Sequence, residues 1–407
     1  MKRHQFVAGL IVFYCATLGV SSAEAQSCRN PMTNGVEAGE STSYAWSNSG
    51  RAFSWGRGDW GQRGDGTTKA IQTKPLPIKN VRGVVKISSN RGHALVLQRD
   101  GKVFATGYND EGQLGIGSAS FTKTPAQVKG LPCIVDIATG SFSSFALSKA
   151  GEVYAWGYNA DGELAVGNSW PAEKPTKIPG LSRVKQIVAN DYNLFAIDFS
   201  GEVFGIGPNY DKQLGDSVPS IATSPVKLSN VAGIKQMSFF NGTATAISQS
   251  GLPIVWGDTY RVVDVAGPVT ESATPIEIPF SYTASFVISG SDQSFLIDNS
   301  ATLYSWGGNN FGALGSGKDV FCTPLESFGT GTCLGYDIRG LDYHVFMEKT
   351  QILTKVKIVA AGDNFALALK SDGTVWAWGS GRDGQLGNGY DHLSDIPVQV
   401  FKLNLNR

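Results

Sequence analysis

Apolar residues along this chain fall into short runs, and one kind of run recurs at a nearly constant interval. It begins at a glycine or alanine, continues through alternating large and small apolar residues, and ends in a glycine that usually follows tryptophan. Seven copies occur: GRAFSWG from Gly50, GKVFATG from Gly101, GEVYAWG from Gly151, GEVFGIG from Gly201, GLPIVWG from Gly251, ATLYSWG from Ala301 and GTVWAWG from Gly373. Successive copies lie 51, 50, 50, 50, 50 and 72 residues apart. A period of this length is typical of repeat architectures.

Each repeat contains four short apolar runs separated by glycine or polar turns. The third repeat shows them most clearly, as Ala126–Val128, Ile134–Ala138, Ser144–Leu147 and Glu152–Trp156. The runs are rich in Val, Ile and aromatic residues, and no repeat has the 3.6-residue period of a helical solenoid. We therefore predict an all-β fold, a seven-bladed β-propeller of four-stranded blades.

The repeats resemble the family of regulator of chromosome condensation repeats, which are seven-bladed propellers. The resemblance rests on the tryptophan-glycine strand end, on Gly384-Gln385-Leu386-Gly387 beyond it, and on Gly92-His93-Ala94-Leu95 in the preceding strand. It covers nearly all of residues 35–403. Three repeats depart from the second phrase: the fifth has Val263–Gly267 in its place, the fourth begins it with Lys212, and the first has Arg63 for the leucine.

The two ends of the repeat region are predicted to meet in one blade. Val36–Gly39 aligns with Ile137–Gly140, so the first repeat lacks an apolar run before it. Pro397–Leu403 follows the last repeat and has the pattern of the missing strand. We expect this C-terminal strand to close the ring in the N-terminal blade, which would remove an exposed sheet edge.

Residues 1–25 are predicted to be an export signal. Lys2, Arg3 and His4 form a basic start, Phe6–Val20 is apolar, and Ala23-Glu24-Ala25 fits a cleavage site. A retained N-terminal anchor is the alternative interpretation. With cleavage before Gln26, residues 26–407 form one propeller domain, because blades bury their faces only against neighbouring blades. The expected location is secreted or periplasmic, without membrane attachment after cleavage.

Four cysteines remain after signal removal, Cys28, Cys133, Cys322 and Cys333, and an even number in an exported chain suggests two disulfides. We predict a Cys322–Cys333 bridge, since both residues lie in an insertion at about residues 318–355 of the sixth repeat. Cys28 would then pair with Cys133, although Cys133 could also be a small buried hydrophobic residue. The insertion is either functional or a tolerated surface elaboration.

Charge and motifs exclude several function classes. The whole chain has 34 basic and 34 acidic residues, so it lacks the basic character of a nucleic-acid-binding protein. No phosphate-binding loop, zinc motif or serine nucleophile motif occurs, and His93 lies in a strand where a structural role is expected. Single loop carboxylates such as Asp110 are too few for calcium and suit capping of backbone N–H groups better. We predict no enzyme activity, no metal and no cofactor.

The loops that follow the tryptophan-glycine strand ends leave on one face of the predicted ring. Six of them carry an aromatic residue at a corresponding position, namely Trp60, Tyr108, Tyr158, Tyr210, Tyr260 and Phe311. Aromatic side chains on a rigid scaffold are typical of protein-binding surfaces. The competing interpretation is that these rings lie flat and pack the tips of the blades.

Three functions fit this chain at the level of its sequence. We favour an exported, non-enzymatic protein that binds a macromolecular partner, most simply another protein, through the loop aromatics. Glycan or cell-wall binding is a second possibility, because aromatic rings stack on sugars. The resemblance implies a third, guanine-nucleotide exchange on a small GTPase, if the protein is delivered into a host cell.

Overall fold

The computed structural model describes residues 28–117, 119–259, 271–278, 283–291, 293–317 and 353–406. Within these ranges the chain forms antiparallel β-sheets arranged in seven blades, together with a short 3-10 helix at Asn310–Gly312. The predicted all-β fold and the seven-bladed propeller are therefore confirmed. No helix in the described part of the chain has the length and apolarity that crossing a membrane requires.

Each blade is built from consecutive strands. Blades 1 to 4 contain β1 (Gly35–Ala38), β2 (Thr42–Trp46), β3 (Ala52–Arg57), β4 (Ile71–Pro77), β5 (Val84–Ser89), β6 (His93–Gln98), β7 (Val103–Tyr108), β8 (Phe121–Gln127), β9 (Ile134–Thr139), β10 (Ser143–Ser148), β11 (Val153–Gly157), β12 (Ala172–Lys177), β13 (Val184–Asn190), β14 (Asn193–Asp198), β15 (Glu202–Pro208) and β16 (Ile221–Ala232). Blades 5 to 7 contain β17 (Gln236–Phe240), β18 (Thr243–Ile247), β19 (Pro253–Asp258), β20 (Glu271–Glu277), β21 (Ala284–Ser289), β22 (Gln293–Asp298), β23 (Leu303–Gly307), β24 (Val356–Ala361), β25 (Phe365–Lys370), β26 (Thr374–Gly379) and β27 (Ser394–Asn404). Three strands of blade 6 lie in the described ranges, and the other blades show four.

The C-terminal strand β27 takes part in ring closure, but the blade predicted for it was wrong. It pairs with β26 and completes blade 7, while blade 1 has its own outer strand, β4. The error lies in the assignment of outer strands to blades. The strand that follows each long loop pairs with the third strand of the same blade, and not with the first strand of the next blade. For example, Ala126 pairs with Ala105 of β7 and not with a residue of the third blade. The sequence period is the same for either assignment, so it could not distinguish them.

The antiparallel order places two kinds of connection on opposite faces of the ring. The first and third strands of a blade point the same way, so the hairpins after the first strands and the long loops after the third strands share one side, here called the loop face. The turns between second and third strands and the connections between blades lie on the other side, here called the turn face.

Neighbouring blades are joined by a hydrogen bond from a buried tryptophan. The indole N–H of the third strand donates to a backbone carbonyl in the loop of the preceding blade, at the position of glutamine in the Gly-Gln-Leu-Gly phrase. These contacts are Trp55 to Gln385 (2.8 Å), Trp156 to Gln113 (2.9 Å), Trp256 to Gln213 (3.0 Å) and Trp378 to Ala313 (2.9 Å). The last glycine of the phrase lies against the same ring: a Cβ on Gly387 would be 2.5 Å from the Trp55 Nε1 atom. The phrase therefore encodes blade-to-blade packing.

The ring closes through side chains of blades 7 and 1. One apolar cluster contains Val36 and Trp55 of blade 1 together with Phe365, Val400 and Leu403 of blade 7. Ser43 of blade 1 also donates its hydroxyl to the Gln385 carbonyl of blade 7 at 2.7 Å. The seam therefore uses the same kind of contact as the other junctions.

Blade 1 replaces the core leucine of its loop with a buried ion pair. Arg63 is fully buried, and its Nε atom lies 2.8 Å from the Asp65 carboxylate. Its other nitrogens donate to the Gly56 and Lys69 carbonyls and to the Thr67 hydroxyl. A buried arginine satisfied in this way avoids the penalty of an unpaired charge.

The predicted Cys28–Cys133 disulfide is present, and it fastens the N-terminal segment across blades 2 and 3. Asn30 supports the attachment, because its side chain donates to the Ile134 carbonyl at 2.9 Å and its N–H donates to the Arg99 carbonyl at 2.7 Å. The predicted export signal, Cys322, Cys333, and all but the last three residues of the predicted insertion lie outside the described residues.

Replacing Leu403 tests whether side-chain burial in β27 holds the ring closed. Leu403→Ala should lower the free energy of unfolding by about 2–5 kcal/mol, because it leaves a cavity at the seam. Phe401→Ala, a change two positions away on a side chain that is 39 % exposed, should cost much less. Chemical denaturation compares the two variants. Equal losses would show that the seam does not depend on this cluster.

Candidate partner-binding face

Asparagine side chains hold the long loops of the loop face in shape. In blade 2, Asn109 accepts the N–H of Leu114 at 2.7 Å and donates to the Gly117 and Ala119 carbonyls at 2.8 and 2.6 Å. Asn159, Asn209 and Asn309 accept the corresponding leucine N–H in blades 3, 4 and 6. Each asparagine, near the start of its loop, thus fixes the conformation of the loop through hydrogen bonds to residues farther along it.

The glutamine of the Gly-Gln-Leu-Gly phrase adds a second fixed contact. The Gln113 side chain accepts the N–H of Glu111 at 3.1 Å, and Gln213 accepts the N–H of Asp211 at 3.0 Å. Gln62, Glu163 and Gln385 make the same contact in blades 1, 3 and 7. Capping by loop carboxylates occurs at Glu163 and at Asp65, which accepts the Thr67 N–H at 2.8 Å. In the other loops glutamine and asparagine perform it, and the capping predicted for Asp110 stays a prediction.

Aromatic rings from four blades lie on the loop face in two groups of contacting rings. The Trp60 and Tyr108 ring centroids lie 5.1 Å apart, Tyr108 and Phe142 lie 6.3 Å apart, and Tyr158 and Tyr192 lie 5.9 Å apart, all edge to face. Both groups include a residue of blade 3, where the Tyr158 backbone N–H donates to the Phe142 backbone carbonyl at 2.9 Å. We call these five residues the aromatic arc. Edge-to-face pairs hold rings in defined orientations while leaving their outer surfaces accessible.

The structure brings together three of the six predicted aromatic residues. Trp60, Tyr108 and Tyr158 belong to the arc, and Trp60 is 46 % exposed. Tyr210 extends from the next loop and is 65 % exposed, with no ring contact recorded to the arc. Phe311 lies apart in blade 6, where its ring centroid is 4.9 Å from the Arg382 guanidinium carbon. Tyr260 lies outside the described residues.

Two members of the arc, Phe142 and Tyr192, were missed by the sequence analysis. Both lie in hairpins between the first and second strands, so they are not on the loops whose aromatics were compared. Their shared signal was position, because each lies in the hairpin after a first strand and the two stand 50 residues apart, one repeat. Arg91 occupies the preceding hairpin and places its guanidinium carbon 5.5 Å from the Phe142 ring centroid.

The first strands of the blades line a central channel, which contains a cavity of about 220 Å³. Its polar wall contains Glu37, Lys86 and Asp136 from blades 1 to 3, and the Lys86 ammonium lies 2.5 Å from the Asp136 carboxylate. Glu37 accepts the Ser89 N–H at 3.1 Å. Burial raises the pKa of Glu37 to about 7, although the nearby Lys86 opposes the rise.

His93 has a structural position between blades 2 and 3. Its Nε2 atom lies 3.0 Å from the Ser144 hydroxyl, which itself donates to the Gln113 carbonyl at 2.8 Å. Burial lowers the pKa of His93 to about 4, so the imidazole is neutral near pH 7. Among the described residues, no group of three or more histidine, cysteine, aspartate or glutamate side chains is arranged to hold a metal ion.

Comparison with known families matches most of the chain. The RCC1-like domain matches residues 19–262, and regulator of chromosome condensation (RCC1) repeats match residues 356–385 and 372–407. The two regions lie on either side of the predicted insertion. The family matches therefore agree with the repeat pattern and with the propeller.

Solved structures and curated relatives give the same fold assignment. Yeast RCC1 (Prp20), solved in complex with Kap60, aligns with a TM-score of 0.74 at 20 % identity, over 98 % of this chain and 91 % of that chain. The human probable E3 ubiquitin-protein ligase HERC6 is 38 % identical over 84 residues, or 20 % of this chain and 8 % of its own length. The ultraviolet-B receptor UVR8 of Arabidopsis thaliana is 37 % identical over 93 residues, 22 % of this chain and 21 % of its own length. Less than a quarter of each of these two relatives is matched.

The raised pKa of Glu37 predicts a pH-dependent cost of folding. Below its unfolded pKa of 4.5 the carboxyl is neutral in both states, and the cost grows as pH rises from 4.5 to about 7, above which it is constant. Glu37→Gln should therefore stabilise the protein at pH 8 relative to pH 4, by on the order of 3 kcal/mol. Glu152→Gln is the control. A hydrogen bond from Lys177 lowers the pKa of Glu152, so this variant should show a change of opposite sign. Denaturation at both pH values tests the pair; parallel behaviour would contradict the buried-charge argument.

Proposed function

Because this chain belongs to the RCC1-like domain family, whose repeats build a rigid ring with loops on one side, we propose that it is a non-enzymatic β-propeller that binds a protein partner on its loop face. The aromatic arc carries the proposal: five exposed or half-exposed rings from four blades lie on one face, in two groups that are each joined by edge-to-face contacts. A surface of this kind supplies contact area at low entropy cost, since tyrosine and tryptophan have few rotatable bonds.

The loops beneath the arc support a binding role because they are already ordered. Internal hydrogen bonds from Asn109 and Gln113, and from their counterparts in other blades, fix the loop backbones without a partner. Binding to a preorganised surface avoids the entropy cost of ordering loops. Polar residues at the edges of the arc, such as Asp59 and Asp110, would form the polar rim that surrounds the apolar centre of a protein interface.

A known relative is consistent with a protein partner. Prp20p of Saccharomyces cerevisiae, which aligns with a TM-score of 0.73 at 20 % identity over 94 % of this chain and 89 % of its own, has been studied for binding to Gsp1p and histones. At this identity the likeness concerns the fold alone. The identity of the partner of this chain therefore has to come from experiment.

We further propose that the chain is exported and acts in a secreted or periplasmic location. The basic and apolar start of the sequence supports export. The Cys28–Cys133 disulfide supports it as well, because structural disulfides persist in oxidising compartments.

Alanine substitutions in the arc test the binding proposal. Residues 26–407 are immobilised, bound secreted proteins are identified by mass spectrometry, and affinity is then measured with the purified partner. Trp60→Ala and Tyr158→Ala should each weaken binding by about 2 kcal/mol, as interface anchors do. Both should leave the melting temperature nearly unchanged, since exposed side chains contribute little to stability.

Phe199→Ala provides a matched control for this experiment. Phe199 is an aromatic residue on the turn face and is 58 % exposed. Its replacement should leave partner binding unchanged. If the arc variants unfold, the rings serve packing of the blade tips, and if they bind normally, the partner site lies elsewhere.

Mass analysis of the protein from its natural host tests the export proposal. The mature chain should begin at Gln26, and peptide mapping without reduction should recover Cys28 joined to Cys133 and Cys322 joined to Cys333. An intact N-terminus with free thiols would contradict export. Mapping that finds Cys28–Cys133 but leaves Cys322 and Cys333 free would contradict the second bridge alone.

A further inference from the structure

The two faces of the ring carry opposite charge, although the whole chain is neutral. Across the described connections of the loop face, thirteen aspartates and glutamates stand against five lysines and arginines. Across those of the turn face, three acidic residues stand against ten basic ones. The net charge of zero therefore conceals an acidic loop face, which would attract cationic ligands and repel anionic ones.

Carboxylates recur beside the aromatic residues of the loop face. Asp59 precedes Trp60, Asp161 follows Tyr158 by three residues, and Asp211 follows Tyr210 directly. Asp110 lies close enough to the Tyr108 hydroxyl to contribute, after burial, to the raised pKa of that tyrosine. Four successive blades thus present an aromatic ring and a carboxylate together.

These carboxylates are not needed to fold their own loops. Asparagine and glutamine side chains make the internal loop contacts, as described for Asn109 and Gln113. Within the described residues, Asp110, Glu111, Asp161 and Asp211 form no ion pair. Carboxylates that are not paired with a cation inside the protein are available to an external cation.

The cations nearest the arc are already engaged within the protein. The Arg57 Nε atom lies 2.8 Å from the Asp59 carboxylate, and the Arg91 guanidinium is positioned over the Phe142 ring. The Arg91 contact also shows that an arc ring accepts a guanidinium group. Asp216 in the loop of blade 4 lies 3.8 Å from the Lys212 ammonium, whereas Asp110, Asp161 and Asp211 form no ion pair within the described residues.

Resting on the proposed protein-binding function, we propose that the aromatic arc and the flanking Asp110, Asp161 and Asp211 bind a lysine- and arginine-rich segment of the partner protein. Cationic side chains would lie over the tyrosine and tryptophan rings, where cation–π attraction adds to the charge attraction of the adjacent carboxylates. Each of these blades presents about one ring and one carboxylate. This spacing fits an extended segment whose basic residues lie one blade apart.

Binding of a labelled peptide of alternating lysine and arginine tests this proposal. Fluorescence anisotropy is measured with residues 26–407 at low and high ionic strength, and an all-glutamate peptide of equal length is the charge control. We expect binding of the basic peptide, weakening at high salt, and none of the acidic peptide. The triple change Asp110→Asn, Asp161→Asn and Asp211→Asn should weaken binding about tenfold, as expected for three exposed ion pairs.

A second triple variant separates a specific site from general attraction. Asp100→Asn, Glu152→Gln and Asp372→Asn change the net charge equally, but these residues lie on the turn face. This variant should bind the basic peptide like the unchanged protein. Equal weakening by both triple variants, or no weakening by the first, would overturn the proposal. Tyr158→Ala should also weaken peptide binding, because it removes a ring of the arc.

Two further outcomes distinguish this inference from the proposed function. If Trp60→Ala abolishes binding of the natural partner while the loop-face triple variant retains it, the arc binds a protein but not through basic residues. If neither change affects the partner, both proposals are wrong. The purified chain could also self-associate at low salt, and the loop-face triple variant could abolish that association. This outcome would identify the turn face of a second copy as the occupant and would overturn the proposal.

Discussion

The hydrogen bond from a buried tryptophan to the neighbouring blade is the contact on which the ring depends. An indole N–H buried without an acceptor would be costly, so the acceptor carbonyl has to be held at a fixed place in the preceding loop. The Gly-Gln-Leu-Gly phrase does this, with a leucine in the core on one side and a glycine that admits the ring on the other. Because Trp55 makes the same bond to Gln385 across the seam, blade 1 is positioned by blade 7 as blades 3, 5 and 7 are positioned by the blades before them.

One set of side chains fixes the conformation of each loop, and a different set forms its exposed surface. Asn109 and Gln113 satisfy backbone groups inside the loop, while Tyr108 and Asp110 stand at its surface beside them. The same division recurs in blades 3 and 4 around Asn159 and Asn209. Since the interior contacts are short and local, the surface residues can vary without loss of the loop. This arrangement lets one scaffold carry a specific surface.

The repeat count and the face on which the aromatics emerge could be predicted from the sequence, because both follow from the period and from strand direction. The assignment of β27 to blade 7 could not, since moving every blade boundary by one strand leaves the period unchanged. Phe142 and Tyr192 could not be predicted for a different reason. Their rings contact Tyr108 and Tyr158 across a blade boundary, and comparing equivalent loops of the repeats gives no information about contacts between a hairpin and a loop. Charge segregation between the faces was hidden by the neutral total.

The confinement of every described sheet to one uninterrupted stretch of chain has a consequence for how such a molecule can change over time. No described strand is borrowed from the other end of the chain, so a stretch of about fifty residues carries a complete sheet together with the loop that contacts the next blade. Duplication or loss of one stretch would alter the diameter of the ring without leaving a sheet incomplete. In a propeller whose ring is closed by a blade with strands from both termini, that blade could not be duplicated or lost in this way. A gene rearrangement would have to preserve two segments that are distant in the sequence.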